Sequence, residues 1–370
     1  MNNRIQPIDG LRALAAFGVV WIHCWSYFGN PSMKLFLFDF YQLIAILGNG
    51  VDFFFVISGF CMYLMTRKKQ FTVIVYLSFL YKRFLRIMPA FYLAVLVYAF
   101  LIKMGTPEFA FGYNVFFHLL FLNNLVTGNS ISGPFWSIGT EWHFYLILPF
   151  FVYLSYQYSL IKAVLICSTA SLLFFAIVNM GYLSYGWWES QILVRFPEFS
   201  VGIIAAWCLI NKYTLPGWLK GAKGLVVAIV IMYLGRLMKF TPVIILAGEA
   251  GFILKTLADT IMTAGFGLLM FHVVTEPGRI SNWLSGNIIT WLGRISFSIY
   301  LWHSLVFIIL HDWLQKLSFG VYNPVVAFMI VSLMTIFISY FSYRYLEAFY
   351  FRLRPTQPVT QPLPVHLPKN

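Results

Sequence analysis

The sequence predicts an all-α protein, a polytopic bundle of about ten transmembrane helices with both termini in the cytoplasm. Hydrophobic residues make up 60% of the 370 residues and charged residues only 10%, whereas a soluble domain carries about a quarter charged residues. The apolar runs are continuous, which is typical of spanning helices, since the strands of a membrane barrel alternate in polarity. The chain is therefore predicted to cross a lipid bilayer many times.

Ten apolar segments follow one another along the chain, and about 20 mostly apolar residues are needed to cross a bilayer. They are 11–28, 41–65, 87–104, 135–155, 161–181, 190–210, 223–238, 252–275, 288–311 and 322–346. A shorter apolar piece at 114–126 is predicted to be re-entrant or interfacial. The segments define one membrane domain, residues 1–354. The proline-rich tail 355–370 is predicted to be a disordered cytoplasmic segment.

The distribution of basic residues sets the predicted orientation. With the N-terminus in the cytoplasm, 18 of the 25 lysines and arginines fall on the inner side and 7 on the outer side, as the positive-inside rule requires. This distribution explains the net charge of +13. The sequence has no long basic stretch, so nucleic-acid binding is not favoured.

The spacing of the four cysteines does not indicate a disulfide or a metal site. Cys24, Cys61, Cys167 and Cys208 all lie in apolar segments without a CxxC spacing. The sequence therefore predicts neither a disulfide nor a metal site.

The first segment holds two polar residues that are costly inside a membrane. Arg12 and His23 are 11 positions apart, which on a helix returns to nearly the same face after a rise of about 16 Å. That face suits a long substrate with an anionic head and a reactive far end. The alternative is an arginine that marks the inner boundary and a hydrogen-bonded core histidine.

The second segment contains GVDFFFVISGF at 50–60. Asp52 lies among apolar residues, so it is either functional or the structural partner of an arginine, and the second alternative is favoured. Ser58 and Gly59 allow a helix or a substrate to approach closely. Asp52 and Ser58 are secondary candidates for the site.

The motif KRFLRIMP at 82–89 places Arg83 and Arg86 three positions apart, on one face of a helix. Guanidinium groups bind phosphate through paired donors, so both residues are candidates for binding an anion. The alternative is ordinary topogenic charge on the cytoplasmic side.

The fourth segment opens with GPFWSIGTEWHFYLILPF at 133–150. Glu141 is predicted to lie in the apolar layer, where a carboxylate must be paired or protonated. It could stabilise an imidazole such as that of His23, as the acid of a triad does, or hold a neighbouring arginine. Ser137 in the same motif is a secondary candidate.

The last motif is GRISFSIYLWH at 293–303. Ser296 and His303 are polar positions on a mostly apolar helix and are further secondary candidates. His303 could be a second catalytic imidazole, whereas serines in such helices often serve packing.

In combination, these segments resemble the acyltransferase-3 family of integral membrane O-acyltransferases up to about residue 350. PIDGLRALAAFGVVWIH is similar to the family's first motif, an arginine and a histidine separated by ten residues. The other four motifs resemble later family motifs in the same order. The family's last span often ends in a glutamate, a cation and a proline, whereas Glu347 precedes Ala348 and Phe349. This departure weakens any role for Glu347.

The resemblance implies transfer of an acyl group, usually acetyl from acetyl-CoA, to a hydroxyl of a surface or lipid-linked carbohydrate. It implies location in the inner cell membrane and acyl-CoA as cosubstrate, with no permanently bound cofactor. Arg12 and His23 would be catalytic, and Arg83 and Arg86 would bind acyl-CoA. His23 would act as general base or accept the acyl group itself, and Glu141 would stabilise the imidazolium. The implied partners are the donor, a carbohydrate acceptor and the bilayer, but no nucleic acid.

The alternative function is a transporter or flippase that moves a glycan or an acyl metabolite without chemistry. Such proteins also carry arginine, histidine and acidic residues inside the membrane. However, the two halves of the chain share no recognisable inverted repeat, which many transporters have. The sequence therefore favours an enzyme.

Overall fold

The computed structural model describes residues 5–35, 38–66, 72–106, 110–125, 130–177, 190–239 and 248–348, most of which are helical. The strands among these residues are the two-residue pair β1 (Lys34–Leu35) and β2 (Phe38–Asp39), which form an antiparallel hairpin. The predicted all-α class is confirmed. The tail predicted at 355–370 lies outside the described residues.

The α-helices of the described residues overlap the predicted apolar segments but differ from several of their bounds. They are α1 (Gln6–Tyr27), α2 (Phe40–Ile44), α3 (Gly50–Thr66), α4 (Val73–Gly105), α5 (Phe111–Leu119), α6 (Trp136–Gln157), α7 (Leu160–Ile177), α8 (Ile192–Ile210), α9 (Gly221–Lys239), α10 (Gly248–Thr275), α11 (Arg279–Leu284), α12 (Asn287–Arg294), α13 (Ser296–Leu314) and α14 (Asn323–Ser342). A π-helical turn, Tyr343–Glu347, continues α14.

Eight helical segments of the described chain are long and apolar enough to cross a membrane. They lie in α1, α3, α4, α8, α9, α10, α13 and α14, so the predicted polytopic bundle is confirmed. The predicted fourth and fifth spans correspond to α6 and α7, which have 22 and 18 residues. Helix α6 is not among the eight segments above. It carries four polar residues, Ser137, Thr140, Glu141 and His143. The cytoplasmic placement of both termini stays a prediction.

Helix α4 begins at Val73, well before the predicted boundary at residue 87. The motif KRFLRIMP therefore lies inside the helix, and so does Pro89. The predicted segment began at residue 87 because basic residues were excluded from the apolar run. Arg83 is nevertheless only 4% exposed, because its side chain faces the interior of the bundle and not lipid.

Helix α1 lies amid the other helices and contacts α3, α12, α13 and α14. More than half of its residues are buried. A spanning helix surrounded by protein can carry polar side chains, since these face other helices or a cavity and not lipid. The packing of α1 thus explains how Arg12 is accommodated.

Helices α3 and α8 touch through their backbones. A Cβ atom on Gly59 would lie 2.1 Å from the carbonyl oxygen of Phe199, and one on Gly202 would lie 1.9 Å from that of Val56. Small residues of this kind let transmembrane helices pack closely. The contact fixes the position of α3 in the bundle.

We expect Gly202→Ala to destabilise the protein by about 1–3 kcal/mol or more, because the added methyl group meets backbone that cannot rotate away. The matched control is Gly112→Ala in α5, where a Cβ atom meets no other atom within 4 Å. The measurement is thermal unfolding of the purified, detergent-solubilised variants. Equal melting temperatures for the two variants would contradict the expected contact.

Candidate active site

One cavity collects polar side chains from six helices, α1, α3, α4, α6, α12 and α13. Seven of the residues predicted from the sequence line it together: Arg12, Ser58, Arg83, Arg86, Ser137, Glu141 and Ser296. Tyr145, Arg294 and Tyr300 complete its polar lining. Polar residues at distant places in the sequence thus converge on a single site.

Arginine side chains dominate the charge of this cavity. Nη2 of the buried Arg83 donates to Sδ of Met65 at 2.9 Å, and its Nε finds no hydrogen-bond partner among the described residues. Nη2 of Arg12 donates to Sγ of Cys61 at 3.8 Å. Sulfur is a weak acceptor, so these guanidinium groups keep capacity for a stronger one. The arrangement suits an anionic ligand.

Arg86 belongs to the same cationic group, since Arg12 and Arg83 both lie within electrostatic range of it. Neighbouring guanidinium groups repel each other unless a carboxylate or a bound anion balances their charge. Glu141 is the carboxylate on the described cavity lining. One carboxylate against four arginines leaves the site electropositive, so an anion that enters it is attracted.

Glu141 is held by hydroxyl groups. It accepts a hydrogen bond from Oγ of Ser58 at 3.0 Å and a short one from the hydroxyl of Tyr145. Arg12 and Arg86 lie within its electrostatic range. The described hydrogen bonds of Glu141 thus come from hydroxyl groups with the arginines nearby, which is compatible with the second alternative left open by the sequence, a glutamate that holds arginines. The expected support of His23 by Glu141 is not the contact found between the described side chains.

His23 does not line the arginine-rich cavity; its ring packs against that of His303 at an interplanar angle of 37°. Their ring centroids are 5.2 Å apart. His23 is exposed, whereas His303 is fully buried and donates from Nδ1 to the carbonyl of Tyr300 at 2.7 Å. His303 is therefore positioned to orient His23.

Tyr300 connects this histidine pair to the cavity. Its ring centroid lies 5.8 Å from that of His303. Its hydroxyl is 2.7 Å from Oγ of Ser137, and both hydroxyls contact the carbonyl oxygen of Pro134. The rings of Tyr300, His303 and His23 thus form a row from the arginine-lined cavity to an exposed imidazole.

Asp52 belongs to a different cluster. Its carboxylate accepts from Nη1 of Arg195 at 3.1 Å and from Nδ2 of Asn49 at 2.9 Å. Arg195 also pairs with Glu198 at 2.7 Å, and its guanidinium lies over the ring of Trp136, 5.2 Å from the centroid. The structural alternative for Asp52, the partner of an arginine, fits these contacts.

Sequence reasoning did not select Tyr300, Arg294 or Glu347 for the site. Glu347 is only 3% exposed, accepts a short hydrogen bond from Ser298 and lies within electrostatic range of Arg86. It sits in the π-helical turn, a feature often found at functional sites. The signal that could have found it is its charge, since a carboxylate at the end of an apolar segment needs a partner.

The fold and the site define a multi-pass membrane protein with a buried, electropositive cavity and an exposed histidine at one end of a row of rings. The chain belongs to the acyltransferase-3 family, whose model, described as an acyltransferase domain, matches residues 5–344. The resemblance inferred from the five motifs is therefore confirmed.

Several named proteins are similar to this chain. Peptidoglycan O-acetyltransferase OatA of Listeria monocytogenes is 24% identical, over 81% of this chain and 49% of its own length. A Staphylococcus aureus (strain COL) protein, provisionally named an O-acetyltransferase, is 26% identical, over 93% of this chain and 56% of its own. The chain thus spans about half the length of these relatives. No solved structure gives a significant match.

Proposed function

We propose that the chain is a membrane O-acyltransferase that moves an acyl group, acetyl in the simplest case, from acyl-CoA to a carbohydrate hydroxyl. The observation that carries this proposal is the cavity, whose described lining holds four arginines, Arg12, Arg83, Arg86 and Arg294, and one carboxylate, Glu141. Acyl-CoA brings three phosphate groups, and forked guanidinium donors bind phosphate well. Peptidoglycan, named for the relative from Listeria, supports a surface glycan as the acceptor class.

The row of rings supports a catalytic role for His23. In the proposed reaction the arginines hold the phosphates while the thioester arm extends past Tyr300 toward His23. His23 removes the proton of the acceptor hydroxyl, whose oxygen attacks the thioester carbonyl. The new C–O bond forms as the C–S bond breaks, and the proton ends on the departing thiolate. The exposure of His23 leaves it accessible to an acceptor from outside the bundle.

Arg12 is one of the arginines that hold the phosphates, and Glu141 and His303 have supporting roles in this mechanism. Glu141, bonded to Ser58 and Tyr145, counters the repulsion between the arginines and keeps them in place. His303 holds the ring of His23 through their direct ring contact. The predicted orientation places the donor on the cytoplasmic side of the inner cell membrane and the acceptor on the other side.

A transfer assay tests the function. Purified full-length protein in nanodiscs receives acetyl-CoA with an isotopically labelled acetyl group and a glycan fragment, and mass spectrometry follows both. Gain of one acetyl unit by the glycan with equal release of free CoA is the expected result. Movement of a substrate across the bilayer without loss of the thioester would instead indicate a transporter. Glycans from cells with and without the chain identify the acceptor by the same mass difference.

We expect Arg83→Ala to raise the KM for acetyl-CoA by about tenfold or more, with a smaller effect on kcat. The reason is that a phosphate contact contributes equally to the ground state and the transition state. The control is Lys82→Ala, because Lys82 is the adjacent cation on α4 but is exposed and does not line the cavity. An unchanged KM for acetyl-CoA in a folded Arg83→Ala protein would contradict phosphate binding by Arg83. The alternative, a charge that only sets the orientation of the chain in the membrane, would then apply.

A further inference from the structure

Arg294 differs from the other arginines of the cavity in its exposure. Arg83 is buried, Arg12 and Arg86 are half-buried, and Arg294 is exposed. Arg294 ends α12 and still lines the cavity. The lining arginines therefore show a gradient of exposure, from the exposed Arg294, which marks the mouth of the cavity, to the buried Arg83.

The backbone that carries Arg294 is fixed against α1. A Cβ atom on Gly293 would lie 1.9 Å from the carbonyl oxygen of Asp9, so only glycine allows this approach. A similar contact joins Gly10 to the backbone of Leu284, at the end of α11. Arg294 and Arg12 thus keep a fixed spacing, because α12 is packed against the beginning of the helix that carries Arg12.

The chemistry of a CoA donor matches this gradient. Its diphosphate is joined to the pantetheine arm that ends in the thioester, whereas its third phosphate is on the ribose, farther from the reacting carbon. A thioester that extends past Tyr300 draws the diphosphate toward the buried arginines. The ribose phosphate then remains at the mouth, where Arg294 is the exposed cation on the cavity lining.

We propose that Arg294 binds the 3′-phosphate of the acyl-CoA donor and selects CoA over donors that lack this phosphate. This inference rests on the proposed function and adds to it a residue that determines donor specificity. In a position open to water, a charged hydrogen bond is partly screened. The paired donors of a guanidinium group are suited to binding one phosphate there. A phospholipid headgroup offers the same phosphate chemistry, so the test must separate the two sources.

The test compares acetyl-CoA with acetyl-dephospho-CoA, which lacks only the 3′-phosphate. KM for both donors is measured for the wild-type protein, Arg294→Ala and Arg279→Ala, all full-length in phosphatidylcholine nanodiscs. Arg279 is the matched control, since it is an exposed arginine on α11 that does not line the cavity. Binding of CoA and of dephospho-CoA to the same proteins gives a readout that needs no turnover. Arg294→Gln, which keeps a long polar side chain, replaces the alanine variant if that one does not fold.

We expect wild type and Arg279→Ala to prefer acetyl-CoA by about tenfold, the size of one charged hydrogen bond. Arg294→Ala should reduce this ratio to about one by raising KM for acetyl-CoA alone. A variant that keeps the wild-type ratio, or a wild type without preference, would overturn the inference while leaving the function intact. A wild type that consumes neither donor would overturn both. If the effect of the variant appears only when phosphatidylglycerol is added to the nanodiscs, Arg294 binds lipid and the inference fails.

Discussion

Replacing His23 by glutamine is expected to lower acyl transfer by at least about 100-fold, the usual contribution of a general base. Glutamine keeps a polar side chain of similar length but cannot accept the proton. Because His23 is exposed, the substitution removes little packing, and the variant should fold normally. The measurement is acetyl transfer to a glycan, together with thermal unfolding of the same sample.

The matched control for this experiment is His311→Gln. His311 is also an exposed histidine near the same end of the bundle, where it contacts the hydroxyl of Tyr27. The His311→Gln variant should retain nearly full transfer activity. Near-normal transfer by a folded His23→Gln protein would remove His23 from the mechanism and leave it a structural residue packed against His303.

Replacing Arg195 by methionine is expected to destabilise the protein by about 3–5 kcal/mol, as the loss of one partner from a buried ion pair usually does. Arg195 pairs with both Asp52 and Glu198, whose side chains are almost fully buried. Removal of the guanidinium leaves two carboxylates without their cation in an interior that solvates charge poorly. Thermal unfolding in detergent gives the measurement.

The triple variant with Arg195→Met, Asp52→Asn and Glu198→Gln provides the control. It removes the uncompensated charges, so it should recover a large part of the stability that the single variant loses. If the single variant were as stable as wild type but inactive in transfer, the cluster around Asp52 would be a functional site and not a structural one.

The sequence predicted which residues meet in the cavity better than it predicted how they pair. Arg83 and Arg86 were identified by their spacing on one helix face, and Arg12 and Glu141 because a charged residue in an apolar segment must face protein or a cavity. That rule depends on local sequence alone. The class of fold follows from composition in the same way, since helices are the simplest means of satisfying backbone groups in lipid.

Pairing depends on the rotation and crossing of helices, which apolar segments do not reveal. Glu141 was expected to support His23, but in the structure it contacts Ser58 and Tyr145. Arg195 was counted among the basic residues of the outer side, and in the structure it pairs within α8 with Asp52, 143 positions away. Such contacts are set by close approaches like that of α3 and α8, where two glycines far apart in sequence must coincide.

The contact between α3 and α8 has a mechanical consequence for the entry of a ligand into the cavity. Ser58 and several apolar residues of α3 form one wall of the cavity, and that wall is locked to α8 by Gly59, Gly202 and the pair of Asp52 with Arg195. Sliding of α3 along α8 would drive side chains into backbone. The two helices thus form a stationary frame. Because α12 is likewise fixed against α1 through Gly293, widening of the cavity to admit a ligand is expected from lining helices such as α4 and α13, which carry Arg83 and Tyr300.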